Sequence, residues 1–256
     1  LLPRRIASYT PYWDQGQSKS LLLSNADESV SRQSVLALGY GESEWQGYQH
    51  ILRQQGTFAA LVWDSLLEPL RSKLDFERIF RQAGHKELWQ DFVEKPIGYF
   101  LEKHIQSDIL RGVLMTDAKI GAYTSAHDES LLQNRTLIYH VIGNKTGEWR
   151  VPEGGMGTLT RQLAENAERH GARLLCSAHI NAIQVGTPHH YICFQLGDES
   201  YEIETEYILS NASSTELHRL LGEKPVTPKS EDEGTAFKIN MLLKKLPALK
   251  DPTVRP

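Results

Sequence analysis

The residues with the clearest chemical potential are Gly154, Gly155, Met156 and Gly157, which stand at the head of a helical pattern. Glycines let a backbone approach a ligand closely, and the free amides of a helix N-terminus offer partial positive charge. The spacing is neither Walker A, which needs Gly-Lys-Ser/Thr, nor the G-x-G-x-x-G dinucleotide fingerprint. Spacing alone therefore leaves a tight packing loop and a ligand loop both open. Upstream, Tyr139 and His140 lie in the apolar run "LIYHVIGN". A histidine there reads either as a satisfied core residue or as a proton carrier. Lys119 reads as a surface cation. Asp117 and Asp128 do not form a recognisable acid pair, and the His189-His190 dipeptide has no second Cys/His pair near enough for a zinc site. No Gly-x-Ser-x-Gly nucleophile elbow occurs.

The elements around these residues can be read from periodicity and punctuation. Met156–Arg169 is an amphipathic helix with Leu159, Leu163, Ala164 and Ala167 on one face, stopped by His170-Gly171. After it come "ARLLCSA", "HINAIQV", "HYICFQL" and "YEIETEYILSN". The Gly186-Thr187-Pro188 and Gly197-Asp198 turns make a three-stranded antiparallel meander of the last three. "EYILSNA" is short and nearly all apolar, as a buried parallel strand is, and "STELHRLLG" is a helix. "KINMLL" at 238–243 reads as a further strand, and Glu231-Asp232-Glu233 as a solvated loop. The first half is different. Residues 1–26 suggest short strands with a hairpin arm, and residues 28–140 are mostly helical. Ser43 and Gln46 form a capping box for a long helix, Pro96 takes a first helical position, and Asp108 opens a helix that Gly121 ends. The resulting fold class is α+β or α/β.

The chain has 256 residues, 40% hydrophobic and 23% charged, with a net charge of -4. That is ordinary for a globular protein and gives no reason to expect nucleic acid as a partner. No stretch approaches the roughly 18 apolar residues of a membrane span. Cys176 and Cys193, the two cysteines, sit in strand-like runs and read as reduced core residues. The first residues lack the apolar run of a signal peptide and do not begin with Met, and the end "KKLPALKDPTVRP" stops just after a strand-like run, so both ends read as cuts in a longer protein.

The order of glycine loop, helix, meander and "YILSNA", with "RVPEGGMGTLTRQLAENAERHGARLLCSAHINAI" ahead of it, resembles the phytoene-desaturase-like branch of the FAD-dependent amine oxidase superfamily. The upstream text from "KHIQSDILRG" to "GEWRVP" is similar to the pyridine nucleotide-disulphide oxidoreductase domain-containing protein 2 group within it. The resemblance runs over nearly the whole chain. It lacks the N-terminal G-x-G-x-x-G unit and the C-terminal glycine motif of that family, so the chain reads as an internal fragment.

The resemblance implies a mostly helical substrate-side domain at 1–145 with short N-terminal strands. It implies a partial two-dinucleotide-binding-type FAD domain at 146–230, and at 231–256 a strand returning to the first domain. The Gly154–Gly157 loop would lie near the flavin, the Ile180 backbone against the adenine edge, Ser210, Asn211 and Ala212 near the FAD crevice, and Tyr139 and His140 toward the substrate. The implied activity is hydride transfer from a small apolar or amine-like substrate to FAD, with a flavin-dependent isomerase as a variant. FAD would be retained by the full-length protein and not by this chain alone. The implied location is intracellular, cytoplasmic in bacteria and mitochondrial in animals. The other reading is a non-catalytic module that binds a ligand, a protein partner or a second copy of itself.

Overall fold

The computed structural model describes residues 1–145, 149–224 and 238–245. The chain divides into two units, Leu1–Glu153 with Gly234–Pro256, and Gly154–Glu233.

The first unit begins with β1 (Leu2–Pro3) and a hairpin of β2 (Ile6–Asp14) and β3 (Gln17–Ser24). Gln15 and Gly16 both take positive φ, which matches a two-residue turn to the strand twist. Alternation along β3 buries Leu21 and Leu23. The outer edge of β3 is covered by α1 (Glu28–Leu36), whose Ser34 and Ser31 hydroxyls accept from the amides of Leu22 and Ser24 at 2.7 and 2.8 Å. Such cover removes an open strand edge.

Then follow α2 (Glu42–Val62), α3 (Lys73–Gln82), α4 (Lys86–Trp89), α5 (Ile97–His104), α6 (Asp108–Lys119) and α7 (Leu132–Val141), before β4 (Arg150–Val151) pairs with β1. Their apolar faces meet in one core. Phe58 lies 4.9 Å from Phe80 and 5.3 Å from Phe92 between ring centres, and Phe92 lies 5.2 Å from Phe100. Aromatic burial on this scale dominates packing energy.

Three buried polar side chains bind loops to this core. Asn134 accepts from the Ile97 amide and donates to the Phe92 and Lys95 carbonyls. Gln133 donates to the Asp128 carbonyl at 2.8 Å. Glu44 accepts from the amides of Gln106 and Ser107, both at 2.9 Å, at the start of α6. Each satisfies backbone groups that would be costly to bury alone.

The second unit holds α8 (Met156–Arg169), the strands β5 (Ala178–Gln184), β6 (His190–Leu196) and β7 (Glu199–Thr205), and α9 (Ser214–Leu220). The sheet order is β5-β6-β7, antiparallel throughout, with Ile183 opposite Ile192 and Phe194 opposite Tyr201. The meander and both helices match the sequence reading. Gly171 has φ +86°, and Ala172 donates to the Ala167 carbonyl, closing the end of α8. Mixed helices with antiparallel sheets make the fold α+β.

Several expectations change. The helix expected from Ser43 begins at Glu42 behind Gly41 with no side-chain cap; Ser43 already lies inside it, and its hydroxyl donates to the Tyr40 carbonyl at 3.3 Å instead of capping. The capping box belongs instead to α3, where Ser72 and Asp75 exchange bonds. Pro96 precedes α5 rather than opening it. "ARLLCSA" is irregular up to Ser177, so Cys176 is exposed rather than a core residue, while Cys193 on β6 is half-buried.

"EYILSNA" and Lys238–Leu243 are not strands either. Both are mostly exposed, and among the described residues neither has a strand beside it to pair with; in the first, the Thr205 hydroxyl bonds the Tyr207 amide and carbonyl, and the Ser210 hydroxyl accepts from the Ala212 amide. The Glu231-Asp232-Glu233 run and residues 146–148 of the connector lie outside the described residues. Among the described residues no helix is long and apolar enough to cross a membrane.

Candidate functional site

The glycine loop opens α8 without a side-chain cap. Gly154 and Gly155 have φ of +81° and +84°, which side-chain-bearing residues rarely adopt. At Gly155 and Gly157 an added Cβ would meet nothing within 4 Å, so the loop face is open rather than packed. At Gly154 it would come 2.7 Å from the Thr158 hydroxyl. Met156 is exposed. The first-turn amides of α8 thus stand at an accessible surface where a planar or anionic group can approach. The donor set fits a cofactor edge or phosphate, and a cation stands beside it: the Arg161 guanidinium donates to the Thr158 hydroxyl at 3.4 Å.

Ile180 lies on β5, opposite Phe194, beside a bulge that ends at Ala182. The outer edge of β5 has no strand partner among the described residues, so its backbone is a free edge. Ser210, Asn211 and Ala212 lie in an exposed irregular segment, with the Ala212 amide donating to the Ser210 hydroxyl at 3.3 Å. Among the described residues no hydrogen bond joins the glycine loop to Ile180 or to Ser210–Ala212.

In the first unit, Tyr139 is exposed and His140 half-buried on α7, with rings 5.2 Å apart edge to face. The other face of His140 lies parallel to Trp149 at 6.2 Å. His140 Nδ1 is 2.8 Å from the Thr136 carbonyl oxygen. A carbonyl only accepts, so Nδ1 carries the proton and a neutral ring keeps Nε2 as an acceptor.

Asp117 on α6 completes the group. Burial raises its carboxyl above the usual range, and the charges of His140 and Arg4 pull it down. A carboxyl with raised proton affinity beside an imidazole of fixed tautomer can bind or exchange a proton at this face. Asp117 has a signal that the sequence reading passed over. It follows Leu110, Val113 and Leu114 at helical spacing, which puts a carboxylate on a buried stripe.

The remaining candidates separate. Asp128 bonds the Ser130 amide and the Thr124 hydroxyl, which hold its carboxyl below the usual range. His189 faces Glu204 at 3.6 Å, and His190 Nδ1 accepts from the Gly186 amide. Among the described residues no group of three or more His, Cys, Asp or Glu could hold a metal.

In sequence the chain is 35% identical over 260 residues to uncharacterized proteins of Mycobacterium bovis and Mycobacterium tuberculosis, a match covering 100% of this chain and 48% of each relative. It therefore spans about half the length of these curated relatives. It is 32% identical over 165 residues to the pyridine nucleotide-disulfide oxidoreductase domain-containing protein 2 of Rattus norvegicus, covering 60% of this chain and 27% of that protein. No family model and no solved structure matches the chain. These matches make the chain a distant homologue of proteins named for an oxidoreductase domain.

Proposed function

We propose that this chain is part of an FAD-dependent oxidoreductase of the phytoene-desaturase-like type, acting on a small apolar or amine-like substrate. The observation that carries the reading is the second unit. A capless glycine loop opens a helix and leads to an antiparallel meander, in a unit that buries only Ile183, Phe194 and Leu220 as apolar side chains among its described residues. So small a core is poor support for an independent domain of this size. Leu159 and Leu163 on α8, and Tyr207 and Leu209 beyond β7, are exposed. A longer polypeptide that covers these side chains, of the length the mycobacterial relatives have, would complete the unit.

In this reading the Gly154–Gly157 amides receive a cofactor edge, and the free edge of β5 at Ile180 offers backbone groups to an adenine ring. Bound flavin would supply the hydride acceptor. Tyr139, His140 and Trp149 present aromatic faces that orient an apolar body. His140 Nε2 accepts a proton or hydrogen bond from the substrate's polar atom, and Asp117 steadies the imidazole charge that results.

The test compares two preparations. A full-length polypeptide is expected to purify with flavin absorbance that bleaches anaerobically with an apolar amine or hydrocarbon substrate. The 256-residue chain is expected to purify without flavin, for lack of a pyrophosphate-binding unit. A colourless full-length protein that does not take up added FAD overturns the reading.

A further inference from the structure

A cleft lies in the first unit, away from the residues given a role above. It encloses about 260 Å³ between α5, α6 and the loop at Ala126-His127. That is slightly below the roughly 300 Å³ at which drug-sized pockets begin, and suits a molecule the size of an amino acid. Its floor is apolar, formed by Leu101, Met115 and Ala126. Its rim carries both signs of charge.

Two glycines shape it for different reasons. At Gly98 an added Cβ would fall 2.7 Å from the Ala126 carbonyl oxygen and 2.8 Å from His127 Nε2. This glycine lets the loop close against α5, with its amide donating to Ala126 at 2.9 Å. Gly112 is five residues into α6, where glycine weakens a helix relative to alanine. No atom lies within 4 Å of its would-be Cβ, so packing does not require it. What Gly112 does provide is clearance in the cleft wall.

The rim charges are loosely held. Arg111 is half-buried, with 28% of its side chain exposed, and its only ion-pair partner among the described residues is Asp108, itself on the cleft wall, 3.4 Å away and 96% exposed. A pair so exposed contributes little, so a ligand carboxylate can replace it with a two-point contact. Across the cleft Glu102 bonds His127 at 3.1 Å and presents a carboxylate to a cation.

We propose that this cleft binds a small zwitterion with an apolar side chain, of the amino-acid class. The ligand carboxylate lies on Arg111, its ammonium on Glu102, and its apolar group over Leu101 and Met115. The proposal does not depend on the flavin reading.

Titration of the 256-residue chain with L-leucine, followed by NMR and calorimetry, tests it. 4-Methylpentanoate and isopentylamine, which each lack one charge, serve as controls. Leucine is expected to bind with a millimolar Kd, and each control at least fivefold more weakly. R111Q should weaken leucine tenfold or more. G112A should raise the melting temperature while weakening leucine severalfold, because the better helix former narrows the cleft. The two effects in opposite directions also separate loss of the site from loss of the fold. Failure of leucine to bind, or equal binding to the chain and to G112A, overturns the proposal.

Discussion

Helices α6 and α8 are both amphipathic and of similar length, 12 and 14 residues, yet their fates differ. α6 buries Leu110, Met115 and Ala118 in the core of the first unit. α8 buries none of its residues. Periodicity therefore states which face a helix is able to bury, and a neighbour decides whether it does. The same contrast holds for apolar runs. Leu21 and Leu23 on β3 are buried because β2 pairs with that strand and α1 covers its edge, whereas Tyr207 and Leu209 have no such neighbours among the described residues.

The strongest way to break this contrast is to cut into each unit by the same kind of change. Phe80 is fully buried and meets Phe58 and Trp89 at 4.9 and 5.3 Å. Phe80→Ala is expected to destabilise the first unit by about 3–5 kcal/mol, the cost of lost transfer energy plus a cavity. Urea unfolding followed by tryptophan fluorescence measures it. A cost below about 1 kcal/mol would mean that the ring cluster is no better packed than the exposed face of α8.

What could be read from the sequence follows the same line. The bounds of α8, its Gly171 stop, the turns of the meander and the start of α6 at Asp108 were all legible, because each depends on residues within a few positions. The cap of α2 was not. Ser43 and Gln46 have the local pattern, but the helix starts earlier, behind Gly41, and the Ser43 hydroxyl donates to the Tyr40 carbonyl; nor does the pattern show that Glu44 holds the amides of Gln106 and Ser107, more than sixty residues away. "ARLLCSA", "YILSNA" and "KINMLL" read as strands from composition alone, and a strand exists only with a partner. In the candidate site Tyr139 and His140 were legible as types, while Asp117 becomes their neighbour only through the packing of α6 on α7.

A second test uses charge rather than volume. His50 on α2 and His104 on α5 meet with ring centres 4.3 Å apart and planes tilted by 36°. Partial burial holds both below their ordinary value of 6.5, aided at His50 by Arg53 and Lys103 and at His104 by His50 and Lys103, where Asp91 opposes it. Folding therefore disfavours the charged rings, so the unfolded chain binds more protons just below that value. Their contribution to stability is present above pH 6.5 and is lost as pH falls through the lowered values. The urea midpoint of the first unit should decline between pH 7 and pH 5, and H104Q should flatten that slope. Equal slopes for the two proteins would show that the histidine pair is not coupled to folding.

The smallest effect is the most informative about the second unit. Leu163 stands on the apolar stripe of α8 and is 63% exposed. In a covered helix, as at Leu110 on α6, replacing leucine with a polar residue would cost several kcal/mol. At Leu163 a change to Ser should move the stability of the 256-residue chain by no more than about 0.5 kcal/mol, as surface substitutions do. In a full-length polypeptide that covers α8, the same change should become destabilising, because the face it alters would then be interior. A loss above about 1 kcal/mol already in the 256-residue chain would mean that the apolar face of α8 is covered without any further polypeptide. The second unit would then need no covering polypeptide.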